Sequence, residues 1–326
     1  MESRLLAPLA GKFTVRIERH AVFSMATILV CLVSLTEGDR VMTLEKGTQE
    51  IRVAAVSFVP SKFELQQNAE KLVQMFREAA AGGAQLAVAP EGILEGYVVN
   101  EIIAGKATPS AMKRVAVTID SPMIQRFKKL AEELHLCLVF RFAEQIADDV
   151  YNSAVFIDHD GQICGRYHKM QMDEGYHPSW WYNRLGQQSR AFDTPLGRCG
   201  VLICNDRWNP RLAEIPSLDG AQFLVIPSFG SRSADQDQAV LARGTENGLP
   251  VIEANVGVTL IVNDGKIAAV DRQEEGITFG TITVGPSVQQ DHTRRDQVER
   301  AFLEWRCGEM AQRYERTQAR LKKTAQ

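Results

Sequence analysis

The feature that most constrains this chain is a series of short apolar runs alternating with helix-patterned segments. IRVAAVSFV (51–59), AQLAVAP (84–90), LCLVFRFAE (136–144), RCGVLIC (198–204), FLVIPS (223–228) and PVIEAN (250–255) read as buried strands. Between the first two, Ala69, Leu72, Val73, Phe76 and Ala80 recur at helical spacing, and Gly82-Gly83 ends that segment. Ser121-Pro122 opens a second helix with Ile124, Phe127, Leu130, Ala131 and Leu134 on one face. The stretch 236–247 predicts a third. Asp160-Gly161 and Asn263-Asp264-Gly265 carry the turn chemistry of hairpins. From about Asp291 the chain is charged, with Val298, Phe302 and Trp305 at helical spacing. The alternation predicts one α/β domain over 49–290, its sheet faces covered by helices, followed by a C-terminal helical tail over 291–326.

Composition narrows the class. Hydrophobic residues make up 45% of the chain, enough for a sizeable core in a soluble globular protein. A formal charge of −3 gives no electrostatic reason to expect nucleic acid. The six cysteines form no CxxC pair and no metal-ligand spacing, which suggests reduced thiols. Residues 1–48 are set apart from the fold. Ala21–Leu35 is a nearly unbroken apolar run behind Lys12, Arg16 and Arg19; it is short for a membrane span and suits a signal-peptide core, yet no small-x-small cleavage site follows. The competing reading takes Met42 as the start, because the next residues lead straight into the first strand. The expectation is a cytoplasmic protein, the alternative being export or tethering through residues 12–35.

Three polar groups end apolar strands: Glu91, Lys169 and Cys204. Strand ends are where an α/β fold presents side chains to a cleft. Taken singly, each has an ordinary reading: a packed cysteine, a solvated glutamate, an exposed lysine. Together they supply the parts of thiol chemistry. A thiol needs a base to become a nucleophile, and a carboxylate can take its proton. The tetrahedral intermediate needs a fixed cation and N–H donors for its oxyanion. His168 is a competing base, but it precedes Lys169 directly, so on a strand the two point to opposite faces.

These stretches resemble the signatures of the nitrilase superfamily, the carbon–nitrogen hydrolases. LAVAPEGILEGY matches the strand, Pro-Glu and Gly-Tyr of the first signature. GRYHKMQM matches the Tyr-x-Lys of the second. GVLICNDRWNP matches the Gly-x-x-Ile-Cys-x-Asp-x-x-x-Pro of the third. ARGTENGLPVIEANVG (242–257) and DGAQFLVIPS (219–228) resemble two secondary stretches, and the match runs in order from about residue 51 to 284. The resemblance implies a four-layer αββα sandwich, commonly a homodimer or higher homo-oligomer. It implies Glu91 as general base, Cys204 as nucleophile, Lys169 as oxyanion-stabilising cation and the Asn205 backbone N–H as second donor. Tyr97, from the Gly-Tyr, joins Asn205 and Arg207 as a substrate-binding candidate. EGYHP (174–178) resembles the Glu-Gly-Trp-Tyr-Pro of aliphatic amidases, which makes Glu174 the candidate second glutamate. Where the family often has Gly-His-Ser, the loop here is shorter, and Thr259 stands roughly at the serine.

The implied reaction is hydrolysis of a linear amide or N-carbamoyl C–N bond through a cysteine thioester, with no metal or organic cofactor. CNDR (204–207) resembles the N-carbamoyl-D-amino acid hydrolases, whose arginines beside the nucleophile bind a carboxylate; Arg207 matches the first, and Trp208 replaces the second. The expected partner is therefore a small amide or ureido substrate bearing a carboxylate, with Arg207 alternatively an arginine paired to a neighbouring acid. His177, Trp180, Trp181 and Tyr182 would line the pocket or form a subunit contact. Two other readings stay open: a non-hydrolytic binding module of the same fold, and an acyl-transferring member.

Overall fold

The computed structural model describes residues 47–324, so nearly all of the leader read over 1–48 lies outside the described residues. The first sheet contains β1 (Gln49–Ser57), β2 (Leu86–Val88), β3 (Cys137–Ile146), β4 (Asp149–Ile157) and β5 (Ile163–His168). The second contains β6 (Phe192–Thr194), β7 (Gly197–Val201), β8 (Phe223–Ser228), β9 (Val251–Asn255), β10 (Val258–Asn263) and β11 (Lys266–Asp271). A last strand, β12 (Gly276–Val284), returns to the first sheet and pairs with β1 along its whole length. The helices are α1 (Leu65–Ala81), α2 (Val99–Ile103), α3 (Ala111–Val115), α4 (Pro122–Leu134), α5 (Pro210–Leu218), α6 (Ala234–Asn247) and α7 (His292–Thr324).

The sheets run β12-β1-β2-β3-β4-β5 and β6-β7-β8-β9-β10-β11. Read in those orders, both show the same pairings: antiparallel, parallel, parallel, antiparallel, antiparallel. The fold is thus two copies of one topology packed face to face, a repeat with no counterpart visible in the amino-acid sequence.

Strand pleating explains why the runs are apolar throughout. In β1, Val53 and Ala55 face the core between the sheets, while Ala54 and Val56 face α1 and α4. Leu86 and Val88 divide from Ala87 in the same way, and Cys137 and Val139 from Leu138 and Phe140. Leu212, Ala213 and Ile215 of α5 and Val240 of α6 cover the outer face of the second sheet. The result is a four-layer αββα sandwich. Asn-Asp-Gly and His-Asp-Gly do close hairpins, with Gly161 and Gly265 at positive φ.

The alternation left α2, α3, α5, β6 and β12 unread, and for α5 and β12 the reason is local. α5 carries Pro216 inside it, which reads as a helix breaker. β12 is half exposed and interrupted by Gly280, so its apolar residues form no run. Phe140 is fully buried against Phe127, ring centroids 4.6 Å apart. Phe140→Ala should cost about 3–5 kcal/mol in chemical denaturation, as expected for an aromatic-sized core void.

Candidate active site

The site is assembled where parallel strands stop. After β2 the chain passes Pro90, and the Glu91 N–H donates to the carbonyl of Ser228 at the end of β8, 3.1 Å away. That bond ties the strand ends of the two sheets together. One carboxylate oxygen of Glu91, Oε1, accepts from Lys169 Nζ at 2.9 Å and from Asn152 Nδ2 at 2.7 Å. Asn152, on β4, also accepts the Lys169 N–H on its own carbonyl at 2.8 Å. A single asparagine therefore fixes both members of the ion pair. The other oxygen, Oε2, is buried with no hydrogen-bond partner among the described residues.

Cys204 sits where β7 gives way to a short 3-10 turn, Cys204–Trp208. Its φ is +46°, a left-handed conformation that a side chain adopts only under constraint from its surroundings. Asp206 supplies that constraint. Its Oδ2 accepts from the Ile203 N–H and the Tyr167 hydroxyl, both at 2.9 Å, and its Oδ1 from the Gln171 N–H at 3.0 Å. The Cys204 thiol lies 3.4 Å from the Phe229 carbonyl, and the residue as a whole retains 9% exposure, while Glu91 and Lys169 are almost sealed.

Electrostatics couples the three groups. Burial alone would raise the Glu91 carboxyl, but the charges of Lys169 and Arg141 and the two hydrogen bonds outweigh it, leaving it below its ordinary value. Burial works against the Lys169 ammonium; Glu91 foremost, then Cys204, Glu174 and Asp206, hold its pKa above the ordinary lysine value. Burial and then the Glu91 charge push the Cys204 thiol up to about 12, against the opposing pull of Lys169 and Arg207. The resting arrangement is a carboxylate, an ammonium and a protonated thiol.

A cavity of about 1100 Å³ lies alongside, lined by Tyr97, Asp173, Glu174, Phe229, Gly230, Thr317 and Arg320 among others. Tyr97 has a positive φ of 48° and stacks flat on Phe229, centroids 4.2 Å apart. Glu174 is buried; burial raises its carboxyl while the Lys169 charge pulls it down. The Asn205 side chain points away from this work, its Oδ1 accepting from Gln171 at 2.8 Å and Arg313 at 2.7 Å. His168 faces the other side of the sheet, 2.9 Å from Glu144 and stacked on Tyr151.

Arg207 does not occupy the position expected of a carboxylate receptor. Its guanidinium is buried beneath the Cys204 turn, paired with Glu253 and donating to Ser228 Oγ at 2.7 Å. The ion-pair alternative describes it, because the buried Glu253 carboxylate demands a cation. Three of the four aromatic candidates pack inside the chain and do not line that cavity: Trp180 and Trp181 stack on each other, and Tyr182 donates to Glu95, within a core cluster beside α7, while His177 stacks on Tyr314. Thr259 lies between the sheets, hydroxyl to hydroxyl with Thr278. Sequence reasoning missed Asn152, Arg141, Glu95 and Asp206. The signal for Arg141 and Asn152 was present, since a polar residue inside an apolar strand must find a buried partner; Arg141 pairs with Glu95 and also donates to Asn152.

Comparison with known proteins places these features in a family. The family model for Carbon-nitrogen hydrolase matches residues 52–288. The citrullinase of Francisella tularensis subsp. tularensis is 30% identical over 269 residues, covering 74% of this chain and 91% of that protein. The N-carbamoylputrescine amidase of Arabidopsis thaliana is 31% identical over 198 residues, covering 60% and 64%. Among solved structures, the amidase from Nesterenkonia sp. AN1 superimposes with a TM-score of 0.61 at 20% identity, covering 73% of this chain and 93% of that one. The last likeness concerns the fold alone.

Arg207→Leu strands the Glu253 carboxylate in the core. It is expected to lose about 3–5 kcal/mol of stability, measured by urea titration. A variant as stable as its parent, weakened only in KM for carboxylate substrates, would return Arg207 to the substrate.

Proposed function

This chain belongs to the carbon–nitrogen hydrolase family, whose members cleave C–N bonds other than peptide bonds, and on that premise we propose that it is a thiol-dependent amidohydrolase acting on linear N-carbamoyl compounds. The observation that carries the reading is the divided carboxylate of Glu91: Oε1 is held by Lys169 and Asn152, Oε2 is left without a partner among the described residues, and the charge of the group acts on the Cys204 thiol. A carboxylate so held has one basic oxygen available and cannot rotate it away.

In the proposed cycle the Cys204 thiol passes its proton to Glu91 as sulfur attacks the carbamoyl or amide carbon. The Lys169 ammonium and the Asn205 N–H hold the oxyanion; one such donor is worth about 3–4 kcal/mol. The C–N bond breaks, the amine or ammonia leaves with the proton from Glu91, and Cys204 keeps the carbonyl carbon, as a thioester from a simple amide or a thiocarbamate from an N-carbamoyl compound. Water then attacks that carbon, giving a proton to Glu91, which returns it to the sulfur as the C–S bond breaks; the carbamic acid freed from a carbamoyl compound breaks down to carbon dioxide and ammonia. Glu174, close enough to act on the Lys169 charge, steadies the ammonium and lines the entry.

Two considerations favour a ureido substrate. The two relatives described above are named for citrulline and N-carbamoylputrescine, which share a terminal ureido group. The cavity carries Asp173 and Glu174 as well as Arg320, so a tail with an ammonium group, alone or beside a carboxylate, suits it better than a bare carboxylate. The burial of Arg207 in an ion pair removes the argument for the latter.

An ammonia-release screen over ureido amines, ureido acids, simple amides and nitriles tests the proposal, with ureido compounds expected to turn over fastest. Cys204→Ala should abolish release while melting at the parental temperature; substantial turnover in that variant sinks the mechanism. Ammonia release that depends on an added amine acceptor would mark an acyl transferase instead.

The base is tested by pH. Glu91 acts ionised and its pKa is depressed, so activity is present above that pKa and lost as pH falls through it. Asn152→Ala removes a donor to the charged form, raises the pKa, and should move the acid limb of the kcat/KM profile to higher pH. An unmoved limb assigns the titration to another group.

A further inference from the structure

The helix α7 begins beyond the stretch that matches the family, yet it reaches the site. Phe302, Arg306, Met310, Arg313 and Thr317 recur at steps of three and four and form one stripe facing the domain. Phe302, Met310 and Thr317 are buried. Trp305, expected to share that face, is 38% exposed and lies off it.

What the stripe grips is the segment between Lys169 and Tyr176. Arg306 donates to the carbonyls of Gly186 and Met170, and the Gly186 N–H donates back to the Lys169 carbonyl at 2.9 Å. The carbonyl of Met310 accepts the Tyr176 N–H at 3.2 Å. Gly175, at φ +88°, passes so close under α7 that a Cβ there would stand 2.1 Å from the Tyr314 nitrogen. Arg313 makes the decisive link. Its Nη1 donates to the Met172 carbonyl at 3.1 Å and to Asn205 Oδ1 at 2.7 Å, while its Nε is held by Glu309 at 2.7 Å.

Resting on the reaction proposed above, we propose that Arg313 is a positioning residue for it. One guanidinium bonds both the side chain of Asn205, whose N–H is to meet the oxyanion, and the backbone two residues before Glu174. It thereby adds, to the bonds of Gln171 with Asp206 and Asn205, a further tie between the turn at Cys204 and the loop that carries Lys169 and Glu174. Displacement of reacting groups by about 1 Å costs on the order of 100-fold in rate without weakening substrate binding in proportion. The role is kinetic, so it separates from a merely structural one.

The test uses the full chain with Arg313→Ala, Arg313→Lys, Asn205→Ala, the Arg313→Ala/Asn205→Ala pair, and Arg300→Ala as an exposed control on the same helix. With the best substrate of the ammonia screen, Arg313→Ala should lower kcat about 10- to 100-fold with KM within about threefold and the melting temperature nearly unchanged. Arg313→Lys should regain part of the loss, Arg300→Ala should match the parent, and the double variant should be no slower than its slower single. A loss confined to KM, a loss that vanishes after correction for folded enzyme, or additive losses in the pair would overturn the proposal. Should Arg313→Ala fail to fold, the lysine variant decides, and parental kcat in it overturns the role. Alkylation of Cys204 by iodoacetamide, followed by mass spectrometry, needs no substrate: slower labelling in the folded Arg313 variants supports positioning, and equal rates oppose it. A parent enzyme inert in the ammonia screen overturns the proposed reaction, and the labelling rates then decide Arg313 alone.

Discussion

The buried ion pair between Glu91 and Lys169 is the constraint around which the rest is arranged. Two opposite charges at 0% and 2% side-chain exposure carry a desolvation penalty that their mutual attraction alone does not reliably repay. The surrounding polar residues follow from that. Asn152 bonds one partner through its side chain and the other through its carbonyl. Behind it stands Arg141, a second buried cation, which needs Glu95 in turn. A pair embedded this way is held in place before any ligand enters, which is what electrostatic preorganisation would ask of the proposed reaction.

The doubled sheet topology explains how the groups come together from distant parts of the chain. Glu91 follows the second strand of one parallel trio, and Cys204 follows the first strand of the other. Because the sheets face each other, their strand ends open onto a common edge. The Glu91 N–H to Ser228 carbonyl bond joins those edges directly. Lys169 comes from just past an edge strand, β5, and is drawn in by Asn152 on the neighbouring strand. Hydrophobic packing between the sheets sets the coarse distance, and the polar bonds set the fine one.

Legibility in the amino-acid sequence divided along the same lines. Strands buried on both faces announce themselves as apolar runs, so β1, β3, β8 and β9 were readable, as were α1, α4 and α6 from their periodicity. The half-exposed β12 and the proline-bearing α5 obey no single-face pattern and were not. In the site, the residues at strand ends were legible because a polar group there interrupts a strong pattern. Asn152 and Arg141 lie inside strands, where their polarity marks them as needing a buried partner, but the partners come from other elements and no local spacing identifies them. Arg207 could be read two ways for the opposite reason: in sequence it stands close to Cys204, but its neighbour in space is Glu253. The stripe on α7 was hidden because arginines occupy two of its five positions, and an arginine reads as solvent-facing until its acceptors are known.

The protonation states carry the last step. A thiol pushed to about 12 beside a carboxylate held below its ordinary value does not hand over its proton unaided. The transfer is uphill unless sulfur is bonding to carbon at the same time and the charge is moving on to the substrate oxygen. In the proposed cycle, therefore, no free thiolate is stored; it is generated only when an electrophilic carbon and its oxyanion donors are both in place. Such a site gains little from a more reactive cysteine and much from donors that are already aligned. That requirement gives a helix outside the family's span a reason to hold the Asn205 side chain. Alignment of the turn after the nucleophile is then the quantity on which the rate depends.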